Sequence, residues 1–350
     1  MIATRTPFRI TLGGGGTDLP SFYQKHGGFV LAMGIDKYMY VVLNVPQADR
    51  LVRLHYTKSE SVTDSSLLQH ELAREALLRH GVRDAIEIAS VADLPAGTGL
   101  GSSSCYLVGL LNGLRAYTLN PESRATLAEE ACEIELDILK KPIGKQDQYM
   151  AVYGGLTSLE IDRSGKVRVT PLIMSTYALS DFVANTHLYY TNTLRDTTDI
   201  LTDQNQAMRQ QSGGATEDSL LEIRDIGYQI ADAMRNGNFD RFGELMHQHW
   251  LSKRRLSSKV TIPVVEKLYE HVRAEYGVLG GKVAGAGGGG FWMLYCPRES
   301  NRLTEFMSSQ GLSRLHYSPE LEGSRVIANV LKSYSGQVHG LRRAEAGNGE

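Results

Sequence analysis

The stretch Leu94-Pro95-Ala96-Gly97-Thr98-Gly99-Leu100-Gly101-Ser102-Ser103-Ser104-Cys105 places three glycines and three serines between two segments of different periodicity. Upstream, Ile86-Glu87-Ile88-Ala89-Ser90-Val91 alternates apolar and polar residues as a half-buried strand does. Downstream, Tyr106, Leu107 and Val108 run into Leu110, Leu111 and Leu114 at helical spacing, so the serines fall at a helix N-terminus. Unpaired backbone N–H groups and the positive end of the helix dipole gather there, and glycines let the backbone approach an anion without a Cβ in the way. The stretch reads as a loop that holds nucleotide phosphate.

The chain around this loop has 350 residues with 42% hydrophobic content, enough for a substantial core and two domains. Its formal net charge of −2 is spread over mixed acidic and basic residues without a long basic run, which argues against a nucleic-acid partner. Three cysteines, Cys105, Cys132 and Cys296, lie far apart without a CxxC pair, so neither a disulfide framework nor a cysteine zinc site is expected. The opening residues Met1 to Pro7 have no apolar signal core, and no segment approaches the roughly 20 apolar residues of a membrane span. The expected setting is the cytoplasm, with no membrane partner.

Residues 8–12 and 29–45 read as strands, the second bent around Asp36-Lys37, with the glycine run Gly13 to Gly16 as a tight turn between them. After the central loop, Thr126-Leu127-Ala128-Glu129 reads as a capping box opening a helix over residues 127–139 that Pro142 stops. Tyr153-Gly154-Gly155 leads to a hairpin centred on Arg163-Ser164-Gly165, and residues 175–181 are the expected domain boundary. The second half opens with a strand over residues 188–191, turns helical with a polar break near residues 210–214, and reaches a further glycine run, Gly280 to Gly290. That run precedes a buried strand, Phe291-Trp292-Met293-Leu294-Tyr295. The expected division is residues 1–178, residues 179–335 and a flexible tail over residues 336–350.

Gly285 to Gly290 matches GxGxxG formally but feeds a strand, where a dinucleotide fold requires a helix. Nor is there a Walker A loop, because Lys282 is followed by Val283 where Ser or Thr is needed. His247 and His249, with one residue between them, point to different sides of a helix, so packing or surface roles are expected for them in place of a metal site.

The order and flanks of three glycine motifs, Pro7 to Asp18, Leu94 to Cys105 and Lys282 to Phe291, resemble the GHMP small-molecule kinases over roughly residues 5–335. The resemblance implies an α+β, two-domain fold with an N-terminal domain like domain 2 of ribosomal protein S5 and a ferredoxin-like C-terminal domain. It also implies ATP and magnesium as cofactors. By position, Gly97, Gly99, Leu100, Gly101, Ser102, Ser103 and Ser104 would cradle the triphosphate, and Ser103 and Glu135 would hold magnesium, Glu135 standing seven residues before Pro142 as the family's metal glutamate does. Asp147, within Gly144-Lys145-Gln146-Asp147-Gln148, would be the catalytic carboxylate, with Arg9 holding it ionised and stabilising charge in transfer.

The acceptor end follows the same resemblance. Asp18, nine residues after Arg9, would bond sugar hydroxyls; Gly15 and Gly16 stand where galactokinases carry side chains, which implies room for a larger acceptor. Gly287 and Gly288 of the third motif are grouped with that end. Within the family, Thr6 to Ile10, Gly14 to Asp18, His26 to Gly28, Ile35 to Tyr38 and Leu256 to Val260 look most like members that phosphorylate the anomeric hydroxyl of D-glycero-D-manno-heptose 7-phosphate. A sugar phosphate needs cations, for which Arg195 and Lys259 lead, followed by Lys253, Arg254 and Arg255. The alternatives are another sugar 1-kinase, for fucose, galactose or a uronic acid, and a silent sugar sensor; monomer and homodimer are both open.

Overall fold

A computed structural model describes residues 1–193, 198–209 and 214–331, in two antiparallel-rich sheets flanked by helices. The first sheet contains β1 (Ile2–Gly13), β2 (Gly28–Asn44), β3 (Val52–His55), β4 (Ser59–Val62), β5 (Ile86–Ala92), β6 (Leu156–Ile161) and β7 (Val167–Pro171). The second contains β8 (Thr186–Tyr190), β9 (Gly280–Val283), β10 (Phe291–Tyr295) and β11 (Ser313–Leu315), in the order β11-β8-β10-β9. The last strand, β12 (Arg325–Asn329), returns to the first sheet and pairs with β1, although it follows the whole second sheet in sequence.

The helices are α1 (Pro20–His26), α2 (Glu71–Arg79), α3 (Ser102–Tyr117), α4 (Arg124–Cys132), α5 (Gln146–Tyr153), α6 (Thr176–Asn185), α7 (Thr198–Arg209), α8 (Ala215–Arg235), α9 (Phe239–Arg254), α10 (Pro263–Glu275) and α11 (Ser300–Ser309). Among the described residues, no helix is long and apolar enough to cross a membrane. The three cysteines are all buried as free thiols.

β1 and β2 form the spine on which the site is hung. β2 is one strand of 17 residues, and its bend at Asp36-Lys37 is a bulge: Phe8 faces Ile35 while Pro7 faces Tyr38. Its first half pairs with β6 and its second with β5, so one strand joins both wings of the sheet. Helix α3 lies against this spine with Leu107, Val108, Leu110, Leu111 and Leu114 fully buried. Truncating any of these leucines to Ala costs about 2–5 kcal/mol. The approach is close because Gly113 has no side chain; a Cβ there would sit 2.6 Å from Leu43 Cδ1.

Several local expectations are corrected. The turn Gly13 to Gly16 does not lead directly into β2, since α1 is inserted before it. The capping box is displaced: Ser123 caps α4 by accepting from the Thr126 amide (3.1 Å), while Glu129 is drawn off by Lys145 Nζ (2.9 Å) and the Tyr149 hydroxyl. The stretch 175–181, where the domain boundary is expected, lies in α6, which Ser175 caps and whose Phe182 packs against Phe242. The polar break near residues 210–214 falls mostly, and the tail over residues 336–350 wholly, outside the described residues.

Candidate active site

The central loop turns on three left-handed glycines, Gly97 (φ 78°), Gly99 (φ 77°) and Gly101 (φ 87°), a conformation that costs any residue with a Cβ about 1–2 kcal/mol. Gly101 is the N-cap of α3 and no side chain caps the helix, so the first-turn N–H groups of Ser102 to Ser104 lie at the start of a 16-residue helix with no side chain capping them. The third glycine loop closes over the central one. A Cβ on Gly285 would lie 2.7 Å from Gly99 Cα, and one on Gly290 would lie 2.2 Å from Thr98 O. The two loops therefore meet backbone to backbone, a contact available only to glycine.

Arg9 projects from β1 under this junction. Its side chain is 3% exposed; Nη1 donates to Gly99 O (2.7 Å), while Nε and Nη2 both address Asp147 Oδ1 at 2.7 and 2.5 Å. Asp147 sits in the first turn of α5, a quarter exposed, with Oδ2 outside the Arg9 pair. Its neighbours on α5 anchor it on both sides: Gln146 Oε1 accepts from Thr11 Oγ1 (2.8 Å), and Gln148 Nε2 donates to Glu135 Oε2 (2.7 Å).

Glu135 reaches this centre because α4 runs into a wide π-type turn, Glu133–Ile138, that rotates the following residues relative to a regular helix. Its carboxylate is fully buried; Oε1 accepts from Ser103 Oγ (3.0 Å) and Lys141 Nζ (3.3 Å), and Oε2 from Ser104 Oγ (2.6 Å). Glu133, two residues earlier, turns away to Arg79 (2.5 Å). Among the described residues no group of three or more His, Cys, Asp or Glu could hold a metal, so Glu135 and Ser103 form a sparse all-oxygen pair. Such a donor set fits magnesium, which retains waters and takes substrate phosphate oxygens beside one or two carboxylates, and does not fit zinc.

Asp18, expected at the acceptor end, is 2% exposed and its carboxylate is already engaged, Oδ1 accepting from the Gly16 amide and Oδ2 from the Gln146 amide, each at 3.1 Å. Burial pushes its carboxyl above the usual range, the Gln146 amide pulls it back and the nearby Asp147 charge adds to the rise. Asp18 thereby ties the first glycine turn to the start of α5. Gly144 must lack a side chain for this, since a Cβ there would overlap Asp18 Oδ2 at 1.9 Å.

Side chains border both Gly15 and Gly16, where open space is expected: a Cβ on Gly15 would lie 3.2 Å from Thr11 Cγ2, and one on Gly16 would lie 3.1 Å from Gln204 Nε2 of α7 and 3.5 Å from Leu220 Cδ2 of α8. Gly287 and Gly288 pack on Val260, whose carbonyl accepts from the Gly288 amide (2.8 Å). Next to it, exposed Lys259 pairs with Asp203 of α7 (2.8 Å). Arg195 lies outside the described residues. The basic run splits: Arg254 and Arg255 face solvent, the latter paired with Glu222, whereas Lys253 turns inward and donates to the carbonyls of Val283 (2.9 Å) and Gly285 (2.6 Å). His247 hydrogen-bonds the Tyr269 hydroxyl (2.9 Å) and His249 is buried, held neutral by burial and by Lys282 and Lys253.

The loop residues, Arg9, Asp147, Ser103 and Glu135 thus converge. Sequence reading missed Gln148, Lys141 and Gln204; no local pattern signals any of them, as each acts across a tertiary contact.

Two family models match the chain. The GHMP kinases N terminal domain matches residues 67–155 and the GHMP kinases C terminal domain residues 230–311. D-glycero-alpha-D-manno-heptose 7-phosphate kinase of Campylobacter jejuni is 28% identical over 316 residues, covering 84% of this chain and 89% of that protein. Two crystal structures share the fold: a D-glycero-D-manno-heptose 1-phosphate kinase from Bacteroides thetaiotaomicron (20% identity, TM-score 0.75, 94% of this chain and 99% of that one) and Lactococcus lactis galactokinase complexed with galactose (20%, 0.70, 93% and 94%). With both domain models matched in order and the two-domain fold present, this chain belongs to the GHMP kinase family.

Proposed function

We propose that this chain is an ATP- and magnesium-dependent sugar kinase that phosphorylates the anomeric hydroxyl of D-glycero-D-manno-heptose 7-phosphate, giving the 1,7-bisphosphate for nucleotide-activated heptose. The observation that carries the reading is the Arg9–Asp147 pair (2.7 Å), whose arginine also donates to Gly99 O of the phosphate loop (2.7 Å). A carboxylate paired with Arg9 there can orient an acceptor hydroxyl and take its proton as the γ-phosphoryl group transfers, while Arg9 offsets negative charge in the transition state. Magnesium held by Ser103 and Glu135 would neutralise phosphate charge. The heptose phosphate assignment is supported by the similarity to the Campylobacter enzyme over 84% of this chain. Lys259 and Arg195 are proposed for the acceptor's own phosphate, and Asp18, Gly15, Gly16, Gly287 and Gly288 for the walls of its pocket.

A coupled ADP-release assay over a panel of heptose 7-phosphate, free heptose, fucose, galactose and a uronic acid tests this. Turnover is expected on heptose 7-phosphate. Turnover only on unphosphorylated sugars would overturn the acceptor assignment, and turnover on none would favour a sugar sensor.

A further inference from the structure

Beneath the third glycine loop lies a buried cluster of cationic side chains. Lys253 of α9 is 6% exposed, and both of its hydrogen bonds among the described residues go to carbonyls, those of Val283 and Gly285. Lys282 of β9, 2% exposed, donates to Leu12 O (3.3 Å). His249, on α9 with Lys253, offers no counter-charge, and among the described residues the remaining charged group facing the cluster is Arg9 of β1, whose own charge is taken by Asp147 of α5. Burying an ammonium among carbonyls without a carboxylate is costly, so the arrangement needs a compensating role.

Its position supplies one. The carbonyl that Lys253 grips belongs to Gly285, the residue in backbone contact with Gly99; Gly99 O in turn accepts from Arg9, which holds Asp147. A chain of direct contacts therefore runs from Lys253 through both glycine loops to the proposed catalytic pair. We infer that Lys253 is a positioning residue for the nucleotide site: its ammonium fixes the Val283–Gly285 turn against the phosphate loop and lends positive charge to the bound triphosphate. A bound triphosphate would supply the negative charge that faces neither Lys253 nor Lys282 among the described residues. Burial, and then the Arg9 charge, push the Lys253 ammonium down to about 7, and an arriving triphosphate raises it again. This rests on the kinase reading but not on the identity of the sugar.

Calorimetric titration of magnesium-ATP into the full chain at about pH 8, in two buffers of different ionisation enthalpy, tests the inference without any acceptor present. The triphosphate is fully ionised there, so a proton taken up on binding comes to the protein. Wild type is expected to take up a fraction of a proton. Lys253→Met should bind ATP on the order of tenfold more weakly and take up a smaller fraction of a proton than both wild type and Lys282→Met, since burial pushes the Lys282 ammonium down as well. Lys253→Met binding ATP as tightly as wild type would overturn the inference, and so would absence of uptake by wild type, a measurement that stands even if the variant does not fold. Failure of the heptose assignment would appear only in the sugar panel.

Discussion

Asp147→Asn separates the chemical role of the Arg9–Asp147 pair from its structural one. Arg9 is 3% exposed and Asp147 26%, with two guanidinium nitrogens within 2.7 Å of one carboxylate oxygen. Charge centres about 4 Å apart at an effective dielectric near 20 attract by about 4 kcal/mol. The quarter exposure of Asp147 reduces this, and an Asn carbonyl still accepts a hydrogen bond worth about 1 kcal/mol, so the expected loss of folding stability is about 2–3 kcal/mol. A domain stable by about 5–15 kcal/mol remains folded after such a loss. Turnover should fall much further, because a positioned base contributes about 100-fold to 10,000-fold. The assay pairs urea unfolding with ADP release at saturating ATP and sugar, and with ATP affinity measured directly. The expected result is a kcat at least about 100-fold down with ATP affinity changed by no more than about threefold. A kcat within tenfold of wild type would refute the base assignment, and a loss that merely tracked the unfolded fraction would assign the pair a structural role.

Two further outcomes follow from the same geometry. Glu135→Gln keeps the side-chain shape but loses the charge and one of the two acceptor oxygens that receive Ser103, Ser104 and Gln148, so the magnesium concentration for half-maximal turnover should rise by about tenfold or more; an unchanged magnesium titration would remove Glu135 from the metal site. Asp18 is shifted upward from 3.8 by burial, so the native state binds its proton more tightly than the unfolded chain does, and this group's contribution to stability must fall as pH rises from about 4 through the folded value. Denaturant titrations across that range should show a steeper decline for wild type than for Asp18→Asn, and parallel curves would contradict the shift.

Much of this site is local chemistry and therefore legible in the chain. Left-handed turns need glycine, so the runs at Gly13, Gly97 and Gly285 announced backbone-lined loops, and the alternation before Leu94 with the helical spacing after Cys105 placed the serines at a helix start. The resemblance carried by those motifs supplied Arg9, Glu135 and Asp147. Orientation across tertiary contacts was not legible. Glu135 faces inward only because α4 widens into a π-type turn, a change of one residue that apolar spacing does not register. Gly16 suggests vacant space until α7 brings Gln204 over it from 188 residues away. Lys253, Arg254 and Arg255 are equivalent as letters, and only the packing of α9 on β9 buries the first while leaving the other two in water. The sequence by itself determined which backbone could hold a phosphate, because that depends on Cβ atoms and N–H groups within a few residues. Which side chains share the space around that phosphate was decided by the tertiary structure, because helix rotation and loop-on-loop contact set distances between residues that the chain keeps far apart.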